Sequence, residues 1–167
     1  VYKRQEEDGY GNFPNISIRG AEGTRSDNVT IMEDGILTAP AAYSAPSAYY
    51  SPNPARMGGI EILKGSSQIA HGPHTTGGVI NYLSTQFPTD HSLYLKSTYG
   101  SNNAFDFHGY WSDTSEGDFG KVGLLTELYY RQTDGFRTID AGNGYAGSDN
   151  TGFDLMEPMV KLYWEPN

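Results

Sequence analysis

The 167-residue chain has no cysteine, which excludes disulfide staples and thiolate metal sites. It has no apolar run near the ~18 residues that a membrane-spanning helix needs. Cations are scarce: 11 Lys and Arg stand against 20 Asp and Glu. The resulting formal charge of -9 leaves no basic face to neutralise nucleic-acid phosphates or to adhere to anionic headgroups. The first nine residues, VYKRQEEDG, lack the apolar core of a secretory leader. Neither end carries a capping signal, so the chain reads as a piece of something longer.

What is present is glycine and tyrosine, 21 and 13 residues, in the proportion expected of strands and turns rather than helices. Two grammars divide the chain. Residues 1–88 hold short Ile- and Val-rich runs punctuated by glycine and proline: NISIRG (15–20), NVTIMEDGI (28–36), GGIEILKG (58–65) and GGVINYLS (77–84). Each core is of strand length. GSSQIAHG (65–72) is a short helical candidate of no more than about two turns. A small mixed sheet with this helix is the expected fold. The stretch 37–56, rich in proline, alanine and tyrosine, is expected to be a long loop.

Residues 89–167 alternate instead. SLYLKSTYG (92–100) sets Leu93, Leu95 and Tyr99 opposite Tyr94, Lys96 and Thr98. AFDFHGYW (104–111) sets Phe105, Phe107 and Trp111 opposite Asp106, His108 and Tyr110. KVGLLTELYYR (121–131) sets Val122, Leu124, Leu128 and Tyr130 opposite Glu127, Tyr129 and Arg131. DLMEPMVKLYW (154–164) sets Met156, Val160, Leu162 and Trp164 opposite Glu157, Lys161 and Tyr163. Segments of about ten residues match tilted membrane-barrel strands, and their terminal aromatics match interfacial girdles. A soluble β-sandwich also alternates, although its strands usually run about five or six residues. The connections 100–103 and 114–120 are short and 132–152 is long, the asymmetry of periplasmic turns and external loops.

The knot HGPHTTGGVINYL (71–83) tests a different idea. A phosphate loop needs Lys-Ser or Lys-Thr after its last glycine and a helix behind it. Gly78 is followed by Val79, Ile80 and Asn81, a strand, so a tight packing point or turn is the better account. His71 and His74 flank Gly-Pro and have no Cys or carboxylate cluster to complete a metal site.

Taken in order, ISIRG (16–20), MEDGI (32–36), IEILKG (60–65) and HGPHTTGGVINYLS (71–84) resemble the plug domain of TonB-dependent outer-membrane receptors. The Tyr- and Pro-rich loop is most similar to that of the ferric citrate branch of this family. The resemblance implies a mainly β chain: a partial plug over 1–88 with a small mixed α/β sheet, then the first four antiparallel strands of a transmembrane β-barrel over 89–167. Such barrels have about 22 strands and a plugged lumen. It further implies import of a ferric chelate across the bacterial outer membrane, with outer-membrane lipid around the barrel and no nucleic acid as partner. The TonB-ExbB-ExbD complex would energise import through an N-terminal box that is not recognisable in this sequence. No enzymatic step and no cofactor is implied.

The resemblance also assigns residues. Arg19 of IRG and Lys64 closing IEILKG take the positions that pair with barrel glutamates, and Lys64 gives up the fork that arginine offers. Gly77 and Gly78 take the place where the plug sheet closes against the barrel wall. Two ligand-contacting glutamines of the ferric citrate branch correspond to Ala45 and Ser47, and Ala45 has no side-chain donor. Tyr43, Tyr49 and Tyr50 remain as aromatic ligand contacts, with Arg25 as the nearby cation for an anionic chelate. Glu127 is expected to be solvated in the lumen or paired with the plug. Two further readings stay open: a soluble extracellular β-rich module binding a ligand or glycan, and a purely structural pore.

Overall fold

A computed structural model of the chain describes residues 2–6, 14–18, 20, 28–38, 50–72, 75–87, 89–136 and 152–167. It divides into two compact units, Val1–Gln86 and Phe87–Asn167.

The first unit opens with an antiparallel pair, β1 (Tyr2–Glu6) and β2 (Pro14–Ile18). β1 escapes the sequence reading because YKRQE is polar throughout and carries no alternation to detect. The main sheet has the order β4-β3-β6-β5. Its strands are β3 (Val29–Glu33), β4 (Ile36–Leu37), β5 (Met57–Leu63) and β6 (Gly78–Ser84). β3 and β6 are parallel and the other two pairings antiparallel, so the sheet is mixed. Its core is Ile18, Val29, Ile31, Ile80 and Tyr82, with Ile16 and Met57 packed against it. Each fully buried aliphatic of this kind contributes about 1.5–3 kcal/mol relative to exposure. The helical candidate after β5 is a 3-10 helix, Gly65–His71. The region expected to be one loop, 37–56, is shorter. Leu37 belongs to β4, and Pro54–Arg56 forms a 3-10 turn capped by Asn53, whose side chain accepts from the Ala55 N–H at 3.0 Å.

The second unit is one antiparallel sheet of order β10-β9-β8-β7. Its strands are β7 (Ser92–Tyr99), β8 (Phe105–Gly117), β9 (Gly120–Thr133) and β10 (Phe153–Glu165). The expected connection 114–120 is largely strand: β8 runs to Gly117, β9 starts at Gly120, and only Asp118 and Phe119 turn between them. Its residues Thr114, Ser115 and Glu116 carry no apolar alternation, yet they ladder against Gly123, Val122 and Lys121. Pairing with a long partner strand overrides their weak individual preference.

Register fixes the two faces of this sheet. Leu93, Trp111, Thr126 and Val160 lie side by side across the four strands, as do Leu95, Gly109, Leu128 and Pro158. On the opposite face the rows are Tyr94, Tyr110, Glu127 and Met159, then Lys96, His108, Tyr129 and Glu157. The first face is apolar and open: Leu95 and Val160 are each 65% exposed and Leu162 80%. Its two carboxylates lie away from these central rows and are engaged. Asp113 meets His91 at 3.7 Å, and Asp154 accepts from the Tyr130 hydroxyl at 3.2 Å.

Candidate functional site

In the first unit the polar architecture gathers around the turn after β3. Asp34 (φ 48°) and Gly35 (φ 81°) both sit in the left-handed region, which the Asp-Gly pair tolerates and a two-residue hairpin of this hand requires. The turn is tied to β6 on several sides. Asp34 Oδ1 accepts from the Ser84 N–H at 2.9 Å, its Oδ2 accepts from the Ser84 hydroxyl, and the Gly35 N–H donates to Asn81 Oδ1 at 2.9 Å. Asn81 in turn donates to Glu61 on β5 at 2.9 Å. MEDGI is therefore a hairpin clamped onto the central strand of the sheet.

Both flanks of residues 39–49 are anchored to β3. On the leading side, the N–H and hydroxyl of Thr38 each donate to the Ile31 carbonyl at 3.1 Å. On the trailing side, Tyr50 donates its hydroxyl to Glu33 Oε2 at 3.3 Å, and Arg56 Nη2 donates to the same hydroxyl at 2.7 Å. Arg56 Nη2 also reaches Glu33 Oε1 at 2.7 Å. The Arg56 side chain is only 6% exposed and that of Glu33 23%. Burial opposes the charge on Arg56, but hydrogen bonding to Glu33 and Tyr50 outweighs it and the guanidinium pKa is raised. Sequence reasoning missed Arg56, because an arginine among loop prolines looks solvated. Its one local signal is the Asn53-Pro54 start of the 3-10 turn that aims it inward.

The glycine knot is a close-packing point within this unit. Gly78 is buried at φ 144°, and a Cβ there would come within 3.1 Å of the Leu63 carbonyl and 3.2 Å of Ile18 Cδ1. The Gly77 N–H closes the strand start by donating to the Asn28 carbonyl at 2.8 Å. Lys64 precedes the 3-10 helix, and its carbonyl accepts from Ser67 Oγ at 3.3 Å.

On its polar face the second unit carries an aromatic and ionic cluster. His108 Nε2 lies 2.6 Å from Glu127 Oε1, with the Glu127 side chain fully buried. Tyr94 stacks on Tyr110 with ring centroids 5.2 Å apart and meets His108 edge-on at the same separation. Arg131 pairs with Asp106 at 3.1 Å and lies 5.7 Å from the Phe153 ring centroid. Glu127 is thus not solvated, as one reading of the sequence had it: the diagonal cross-strand neighbour His108 takes its carboxylate.

Among the expected ligand contacts, the structure places Tyr50, at the surface and 36% exposed, beside Arg56 and Glu33. Arg19, Arg25, Tyr43, Ala45, Ser47, Tyr49 and His74 lie outside the described residues, or their side chains do. No group of three or more His, Cys, Asp or Glu placed to hold a metal occurs among the described residues.

Residues 2–79 match the family model of the TonB-dependent receptor plug domain. Among solved structures, the chain is similar to the crystal structure of the ferric citrate transporter FecA in its unliganded form. The TM-score is 0.58 at 20% sequence identity, over 78% of this chain and 23% of that one. A likeness at that identity speaks for the shared fold, and the chain spans less than a quarter of that transporter's length.

Proposed function

We propose that this chain, whose residues 2–79 match the plug-domain family model of TonB-dependent receptors, forms part of an outer-membrane receptor that imports a ferric chelate. The observation that carries this reading is the succession of the two units. A plug-type sheet is followed at once by four antiparallel strands, three of them 13 or 14 residues long, with one face apolar and open. Strands of that length and patterning suit a bilayer. The ionisable side chains of the central rows all lie on the other face, as a barrel lumen requires.

In this reading the plug occludes the barrel, and a chelate binds where plug loops meet external loops. TonB, energised by ExbB and ExbD, then drives the rearrangement that admits it. The ligand is carried without covalent change. Arg25, Tyr43, Ser47, Tyr49 and Tyr50 are the proposed ligand contacts. Arg19, Lys64, Gly77 and Gly78 are the proposed plug-barrel contacts. The anchoring of Thr38 and Tyr50 to β3 supports a ligand loop held at both flanks by the plug sheet.

The test is fractionation of the full-length protein with heated and unheated gel migration, followed by titration with ferric chelates. Outer-membrane recovery, faster migration unheated and saturable binding are expected. Recovery in a soluble fraction, with glycan binding, would favour the extracellular module instead.

A further inference from the structure

Resting on the receptor reading above, we propose that Phe87 is a positioning residue for transport. Its ring, seated on Gly123, pins the entry to β7 onto the second unit's sheet, so that rearrangement of the first unit ends at Gln86. Phe87 is the first residue of the second unit. Thr114, Gly123 and Tyr163 lie side by side on β8, β9 and β10. Gly123 is buried, and a Cβ there would come within 2.5 Å of Phe87 Cζ and 3.0 Å of Thr114 Cγ2. The absent side chain is the seat of the ring. Tyr163 forms a wall of it, the two ring centroids 5.7 Å apart and the planes 32° from parallel. Glycine weakens a strand interior, and the φ of Gly123 is not positive, so the close approach of Phe87 is what accounts for glycine here.

Two further contacts hold the same stretch. β7 begins to pair at Ser92 with Ser112, whereas β8 continues to Gly117. Beside that extension the Thr114 hydroxyl donates to the Thr89 carbonyl at 3.0 Å, and His91 meets Trp111 edge-on with ring centroids 6.2 Å apart. Residues 87, 89 and 91 are thus each docked on β8 or β9 before β7 starts. Transport asks the first unit to rearrange while the barrel stays closed. A hinge absorbs such a change where the backbone dihedrals are free to turn. A residue whose ring fills a seat, followed by two more docked positions, is an anchor and not a hinge.

The experiment uses the full-length receptor in phosphatidylcholine vesicles, with a nitroxide on Ser66→Cys in the first unit or on Asp90→Cys beside Phe87, both exposed positions. Label mobility is followed through rising urea in wild type, Phe87→Ala, Gly123→Ala and the double variant. In the wild-type background the Ser66 label is expected to loosen while the Asp90 label is unchanged. Without urea, Phe87→Ala and Gly123→Ala should each make the Asp90 label about 3-fold more mobile. The double variant should add nothing to either single change, because both remove the same contact. Heat-dependent gel migration, the mark of a closed barrel, should persist in every variant, which a general fault in the sheet would not allow. If Gly123→Ala loses it, Phe87→Ala, which alters no strand, decides alone. An Asp90 label that loosens together with Ser66 in wild type overturns the inference and leaves the receptor reading standing. So does an unchanged Asp90 label in Phe87→Ala, or additive effects in the double variant. Recovery of the full-length protein in a soluble fraction overturns the receptor reading, and the inference with it.

Discussion

In the first unit Val29, Ile31 and Ile80 lie buried with Ile18 and Tyr82 packed among them. In the second, Leu93, Leu95, Met156, Val160 and Leu162 stand more than half exposed on one face, while Glu127 is buried on the other. Both units are small β-sheets of four or fewer strands in each sheet, yet the first packs the aliphatics of its two inner strands inside, whereas the second leaves those of one face open. On the proposed receptor reading, the physical reason is the solvent each faces. A sheet in water must hide its aliphatics, whereas a sheet in a bilayer gains by presenting them and must keep its charges on the lumen side. The same alternating chemistry therefore gives a core in one unit and an open apolar face in the other.

The sharpest way to break this comparison is to separate the units. Residues 1–88 expressed alone should remain soluble though loosely packed. Residues 91–167 should aggregate without detergent, because two unpaired sheet edges and an open apolar face are exposed. Size-exclusion chromatography with and without detergent decides it. A monodisperse, cooperatively folded 91–167 in plain buffer would make the second unit a soluble module.

A paired substitution sharpens the contrast. Ile31→Ala removes a core side chain that is 1% exposed and should cost about 2–5 kcal/mol by equilibrium unfolding. Val160→Arg changes a side chain that is 65% exposed. In water such a surface change falls within about 0.5 kcal/mol, but on a lipid face near the bilayer midplane it costs about 2–4 kcal/mol. Refolding of the full-length protein into lipid vesicles measures the difference, and a neutral Val160→Arg there would remove the lipid-facing assignment.

A smaller effect is expected at the knot. Gly78→Ala should destabilise the first unit by about 1–3 kcal/mol, since it places a Cβ at φ 144° against the Leu63 carbonyl and Ile18. Local amide exchange in β6 should rise while protection of β8 and β9 is unchanged. Equal loss of protection in both units would show that the glycine serves more than the first unit's sheet.

Much of this architecture is legible in the sequence because it depends on near neighbours. The alternation of Leu93, Leu95 and Tyr99 with Tyr94, Lys96 and Thr98 fixes which residues share a face, and the observed register keeps each set together across β7 and β8. Asp34-Gly35 encodes its own turn, and Val79, Ile80 and Asn81 mark a strand behind the glycines. Strand ends were less legible. Residues 114–117 extend β8 only because β9 offers them partners, a condition absent from their own composition.

Sequence by itself determined the two grammars, the faces of the long strands, the turn chemistry and the family motifs, all of which follow from local sterics and a period of two. Only the tertiary structure decided which distant groups meet. Arg56 finds Glu33 across 23 residues and Tyr50 across 6; His108 finds Glu127 across 19. β3 lies parallel to β6, although a long stretch of chain separates them. Such pairings depend on how the chain is brought back upon itself, and a buried charge declares its partner only when burial has removed water as an alternative.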